Sequence, residues 1–183
     1  MLIRSFPAGA FGTNCYAVAP GPRQECVVVD PGMDAVEPLA RMLADPARWH
    51  GPQLAPLISG VRLPDPADVE PLDDGAVLSL AGVELTVRHA PGHTRGSVVF
   101  SLDLGEAPGL LAGDVLFAGS VGRVDLPGGS WEDMLRSLQD VVLPLDDETV
   151  VLPGHGPATT IGRERATNPY LAQAASIPKG RGL

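Results

Sequence analysis

Short apolar runs separated by turn residues dominate the first third of this sequence: Leu2 to Phe6, Asn14 to Ala19 and Cys26 to Asp30, broken by Gly12-Thr13 and by Pro20-Gly21-Pro22. Runs of this length bounded by glycine and proline predict three strands joined by turns. After Asp30-Pro31-Gly32 the period changes. Val36, Leu39, Ala40 and Leu43 fall at helical spacing, and Asp34 and Glu37 stand where the helix dipole favours acids, which predicts a helix ending near Ala44. Residues 45–74 carry Pro46, Pro52, Pro56, Pro64, Pro66 and Pro71 with no sustained period, so they read as a long irregular surface segment. Such segments are uncommon inside compact domains unless they are functional or disordered.

Order returns afterwards. Ala76 to Leu80 and Val83 to His89 flank Ala81-Gly82 as a hairpin, and Ser97 to Leu102 and Leu110 to Ala112 read as two more strands. Ser130 before Trp131, Glu132 and Asp133 is a capping start, and Met134, Leu135, Leu138, Val141 and Val142 keep a helical stripe behind it. Thr149 to Leu152 predicts a last strand, and Thr160 to Asn168 a short final helix stopped by Pro169, with Arg163, Glu164 and Arg165 as charges on its surface. Strands, a helix, more strands and then helices imply an α+β fold of two packed sheets with helices on their outer faces.

Composition narrows the setting. With 44% hydrophobic residues the 183-residue chain can supply the core of one domain spanning 1–183. A formal net charge of -9 and the lack of any Lys/Arg cluster argue against a nucleic-acid partner. Cys15 and Cys26 lie inside apolar segments without C-x-x-C spacing, and read as buried free thiols. The first residues lack the basic and apolar regions of a signal peptide, and no apolar run is long enough for a membrane span, so a soluble cytoplasmic protein without a membrane partner is expected.

Three stretches carry the chemistry: Pro91-Gly92-His93-Thr94, Ala112-Gly113-Asp114 and Pro153-Gly154-His155-Gly156. Each sets one metal-capable side chain beside glycine at the end of an apolar run. Imidazole with carboxylate suits a first-row metal such as zinc, and the glycines permit sharp turns and close backbone approach. A carboxylate such as Asp114 at the end of a buried strand is costly unless something positive meets it. His89, in the hairpin strand, reads as a packing or hydrogen-bonding residue, and His50 has no companion ligand at suitable spacing. Arg123 and Asp125 sit in a glycine-bounded loop, where Arg123 either grips a substrate carboxylate or forms a loop salt bridge.

Together with Val29-Asp30-Pro31-Gly32, these segments resemble the metallo-β-lactamase superfamily. Phe11-Gly12-Thr13-Asn14-Cys15-Tyr16, Gly113-Asp114-Val115-Leu116-Phe117, the stretch from Gly122 to Gly129 and Asn168-Pro169-Tyr170 are similar to its compact glyoxalase II-like (hydroxyacylglutathione hydrolase-like) branch. The resemblance covers nearly everything except residues 45–74. It implies an αββα sandwich and a site for zinc or iron, binuclear in the family, in which His93 ligates one ion, His155 the other and Asp114 bridges both. Asp30 would stand nearby as an orienting carboxylate. Water activated by the two Lewis acids would then attack the carbonyl of a small-molecule thioester.

The family's His-x-His-x-Asp-His segment does not occur in this sequence, which leaves three of the seven family ligands. That segment would also carry core strand and helix. An incomplete first half, unpaired sheet edges and a poorly closed core are therefore expected. Two readings follow: a metal-dependent thioester hydrolase with a reduced ligand set, or a catalytically inactive member that uses the old pocket for binding or regulation. A chain that folds poorly is a third.

Overall fold

Glycines at 9 and 12, both at positive φ, close a tight turn through a Gly12 N–H to Gly9 C=O bond of 3.2 Å, and this turn pairs the first two apolar runs. The structure is a computed structural model in which residues 1–32, 34–35, 38–39 and 71–178 are described. The chain groups into two compact units. The first comprises Met1–Leu72 with Ser79–Val83, and the second Asp73–Leu78 with Glu84–Leu183.

In the first unit β1 (Leu2–Ala8), β2 (Thr13–Ala19) and β3 (Val27–Val29) form an antiparallel sheet in the order β1-β2-β3. The register sets Phe6 opposite Cys15 and Tyr16 opposite Val29. Asp30 follows Val29, and its φ of 50° ends the strand. The three predicted strands are thus present. Of the predicted first helix, Pro38 and Leu39 are helical, with a Leu39 N–H to Ala35 C=O bond of 2.9 Å, and the rest lies outside the described residues, as does residues 45–70 of the irregular segment.

The core of this unit is made largely from small side chains, among them Ala8, Cys15, Ala17, Ala19, Cys26, Val28 and Ala35. Both cysteines are buried and free, as their setting in the sequence suggests. Burial pushes the Cys15 thiol up to about 11, with Asp30 and then Cys26 adding to the effect. A raised thiol pKa favours the protonated native state, so its contribution to stability is whole below the ordinary thiol pKa and is lost as pH rises through about 11. Urea midpoints should fall across that window, less so in Cys15→Ala, and the thiol should resist iodoacetamide at pH 8 until the protein is unfolded.

Most of a six-stranded sheet lies in the second unit, in the order β4-β5-β6-β7-β8-β9: β4 (Val77–Leu80), β5 (Val83–His89), β6 (Val98–Asp103), β7 (Pro108–Gly113), β8 (Val150–Pro153) and β9 (Thr159–Thr160), with Ser79, Leu80 and Val83 of β4 and β5 counted in the first unit. β5 alternates as a half-buried strand should, with Val83, Leu85 and Val87 inward. In contrast, β7 and β8 are continuous apolar runs, and they pair in parallel, Leu110 with Val151 and Gly113 with Pro153, across a bulge after Leu111. Far from a poorly closed core, this unit packs Val99, Leu110, Ala112, Leu116, Met134, Leu138, Val151 and Ile161 at 0% exposure. These side chains come from the sheet, from the loop after β7 and from the helical segments that follow.

Three local features depart from expectation. The helix predicted after Ser130 begins as foreseen, with Ser130 Oγ accepting from the Asp133 N–H, but α1 (Trp131–Ser137) gives way to a π-turn over Leu138–Val142. There the buried Gln139 amide donates to the carbonyls of Ala174 and Ile177, at 3.1 and 2.8 Å, which ties the widened turn to the last helix. The predicted final helix, α2 (Ile161–Thr167), is followed by α3 (Pro169–Ser176), so Pro169 both stops one helix and opens the next. Thr159–Thr160 forms the short β9, its Thr160 opposite Val150.

Candidate metal centre

Parallel pairing brings two of the predicted ligands to one edge of the sheet. Asp114 follows the end of β7, His155 follows the end of β8, and the Gly154 N–H to Gly113 C=O bond of 2.8 Å ties those ends together. The carboxyl ends of parallel strands are where α/β sheets commonly place their sites. Gly154 is required there, because a Cβ at this position would overlap Asp114 Oδ1.

His93 arrives from the turn between β5 and β6, and α1 fixes that turn. Ser137 Oγ donates to the Pro91 carbonyl at 2.6 Å, the Ser130 N–H donates to the Gly92 carbonyl at 2.8 Å, and a Cβ on Gly92 would lie 2.5 Å from Met134 Cα. Gly92 also has φ 148°, which a side chain would oppose.

The three predicted ligands meet. His93 Nε2 and His155 Nε2 each lie 3.6 Å from the same oxygen, Asp114 Oδ2, and all three side chains are partly accessible. His93 Nδ1 is 2.7 Å from the Arg123 carbonyl, which can only accept, so in the neutral ring Nδ1 holds the hydrogen and Nε2 turns a lone pair toward the carboxylate. Acceptor facing acceptor is the arrangement that a cation satisfies, and a histidine tethered through its other nitrogen is the usual form of a metal ligand. In kind, two imidazoles and a carboxylate are the donors of a first-row metal site. Among the described residues no group of three His, Cys, Asp or Glu is arranged to hold an ion as a complete set; these three meet pairwise through Asp114.

The other candidates divide. The His89 ring hydrogen-bonds through Nε2 to the Arg95 carbonyl at 2.8 Å, in keeping with a hydrogen-bonding role, while the His89 backbone N–H donates to Asp74 Oδ1 at 2.8 Å. Asp30 belongs to the first unit, at the end of β3. Arg123 makes a two-pronged pair with Asp125, both contacts at 2.7 Å, and the Arg123 hydrogen bond holds the Asp125 carboxyl down at about 2. His50 lies outside the described residues.

One residue was misjudged from the sequence. Glu164 is not a surface charge; it is fully buried and accepts from Thr159 Oγ1 at 2.6 Å, from the Gly119 N–H at 2.7 Å and from Asn168 Nδ2 at 2.9 Å. Its spacing from Ile161 and Asn168, also buried, places it on the inward stripe of α2, and that was the available signal.

The fold and the site define an α+β protein whose imidazole and carboxylate groups gather at the ends of sheet strands. The profile of the Metallo-beta-lactamase superfamily matches residues 37–155, and an uncharacterized protein of Mycobacterium tuberculosis is 39% identical, covering 93% of this chain and 98% of its own length. The chain belongs to the metallo-beta-lactamase superfamily. That alignment runs over 219 residues and the chain has 183, so at least 36 positions of the mycobacterial relative have no counterpart here. Hydroxyacylglutathione hydrolase GloC of Haemophilus influenzae is 41% identical over 98 residues, which is 54% of this chain and 45% of that protein. Among solved structures, TTHA1623 in a di-iron-bound form superposes with a TM-score of 0.67 at 31% identity, covering 91% of this chain and 99% of that one. The family is one of metallo-hydrolases, and its members bind metal ions. Among the described residues no helix is long and apolar enough to cross a membrane.

Proposed function

We propose that this chain is a metal-dependent hydrolase of a hydroxyacyl thioester, in which His93, Asp114 and His155 hold zinc or iron. The observation that carries this reading is the convergence of both Nε2 atoms on Asp114 Oδ2, with His93 set in the ligating tautomer by the Arg123 carbonyl. When bound, such an ion supplies Lewis acidity, lowering the pKa of a coordinated water and stabilising negative charge on a carbonyl oxygen. The chain's own residues orient the imidazoles, present a shared carboxylate and keep the site open to a small molecule. The substrate class rests on the partial likeness to GloC.

Within this reading Asp30 is an orienting carboxylate and Arg123 a contact for a substrate carboxylate. The Arg123–Asp125 pair is solvent-exposed, and exposed pairs are weak enough for a substrate carboxylate to replace Asp125. Arg123→Ala should then raise KM for a hydroxyacyl-glutathione thioester about tenfold with kcat little changed; an unchanged KM assigns Arg123 to the loop alone.

The decisive measurement is metal analysis of the purified protein, paired with release of free thiol from that thioester. Bound zinc or iron, turnover, loss of turnover on chelation and recovery on adding metal are expected. A metal-free protein that turns over nothing would instead favour a binding or regulatory member of the family. The lack of the His-x-His segment and the relative's unmatched positions give that second reading its basis.

A further inference from the structure

We infer that Glu164 is a positioning residue that fixes how Asp114 and His155 face one another, an inference that rests on the metal-site reading above. Its two oxygens join the chain segments that leave the two ligands. Oε2 accepts from the N–H of Gly119, in the loop running on from Asp114, and Oε1 accepts from the hydroxyl of Thr159, in the segment running on from His155. Asn168 Nδ2 completes the tie, donating to Glu164 Oε2 at 2.9 Å and to the Ser120 carbonyl at 3.1 Å.

What Glu164 grips is a defined object. Phe117 and Ser120 exchange backbone bonds of 2.9 and 3.3 Å, which makes residues 117–120 a small closed loop with Gly119 at its tip. The Phe117 ring stands against the His155 ring at 5.7 Å and 89°, so this loop touches one ligand directly and continues from the other. Further along, the same segment offers the Arg123 carbonyl to His93.

None of the named partners of Glu164 is a cation, and a buried carboxylate without one is a costly way to fill space. An apolar side chain of similar volume would avoid that cost but leave the donors of Gly119, Thr159 and Asn168 without this acceptor. What only a carboxylate or its amide isostere provides is acceptor oxygens aimed at the two segments at once. Gln retains the acceptor facing Gly119 and Asn168, and its amide can donate to the Thr159 hydroxyl, which is able to accept. Leu retains the volume and none of the bonds.

Glu164→Leu and Glu164→Gln therefore separate positioning from packing. In the metal-free protein the imidazole proton resonances of His155, which feel the ring current of Phe117, should move in Glu164→Leu and stay near their native values in Glu164→Gln, while those of His89 move in neither. Zinc affinity by chelator competition should drop about 10- to 100-fold in the Leu variant, the range typical of partners that orient a ligand, and by less than about threefold in the Gln variant. A folded Leu variant with unmoved His155 signals and native zinc affinity overturns the inference, as does a Gln variant as impaired as Leu. If the parent protein binds no zinc, the metal-site reading fails while the His155 resonances still decide whether Glu164 sets the geometry. Should the Leu variant fail to fold, Thr159→Val removes one arm of the tie, and a smaller His155 shift in the same direction is expected; no shift overturns the inference.

Discussion

If the chain is the metal-dependent thioester hydrolase proposed above, Asp114→Asn is expected to abolish its metal uptake and turnover while leaving the metal-free protein as stable as its parent, or slightly more so. The two halves of this result share one cause. In the parent, Asp114 Oδ2 faces His93 Nε2 and His155 Nε2 at 3.6 Å each, and His93 is held with its lone pair forward. An asparagine amide can turn a donor into that space, replacing an acceptor–acceptor contact by a hydrogen bond worth about 1 kcal/mol. The same change removes the shared anionic arm. Loss of a partner that merely orients a ligand costs about 10- to 100-fold in metal affinity, and a direct ligand should cost at least the upper end. Metal content and thermal midpoints of apo samples of both proteins check the result. A destabilised but metal-replete Asp114→Asn would assign Asp114 to the fold alone. Stability that rises as function is lost is the pattern of a side chain kept for chemistry.

Gly122→Ala should produce the opposite pattern, a large loss of stability from a single methyl group. A Cβ at Gly122 would overlap the carbonyl oxygen of Asp114, and because that atom belongs to the backbone it cannot swing aside as a side chain would. Relief requires the segment between Asp114 and Arg123 to move, which should cost roughly 3 kcal/mol or more, at the upper end for overpacking. Gly119 is the control. It has φ 74° with open space where its Cβ would be, so alanine there meets only the left-handed backbone penalty of about 1–2 kcal/mol. Urea unfolding of the two variants should separate them clearly, and equal losses would show that Gly122 is not held as tightly as described. Gly154→Ala falls between these, since it meets the Asp114 side chain, and its effect should fall on metal affinity more than on the fold.

The strands, and the meeting of His93, Asp114 and His155, were legible in the sequence because each of these residues lies at the end of an apolar run that turn residues punctuate. Glycine beside each of His93, Asp114 and His155 signals a backbone that must pass close to something, and at Gly92 and Gly154 the structure shows what. Glu164 was not legible as a buried group, since charge outweighs periodicity when a short helix is read residue by residue. The spacing of Ile161, Glu164 and Asn168 would have placed it inward, but burial is tolerable only with the donors of Thr159, Asn168 and Gly119, and the last of these comes from a segment 45 residues away that folding alone brings near. Pro169 misled for a different reason. The ring that cannot continue one helix is well suited to the first turn of the next, and Asn168, whose Oδ1 accepts from the Tyr170 N–H at 3.0 Å, caps that new start. The π-turn had no signal in the apolar stripe, because Leu138, Val141 and Val142 carry on the ordinary helical spacing of Met134 and Leu135.

The separation of Asp114 and His155 is written into a single rung of a parallel ladder, where Gly113 stands beside Pro153, and not into the stretch of chain that joins them. The exposed residues 146–148 within that stretch lie outside the ladder, so a change of length there leaves the rung, and the gap across which the two groups regard each other, in place. Drift in sequence length there would be silent, whereas a one-residue slip of β8 against β7 would be felt at once.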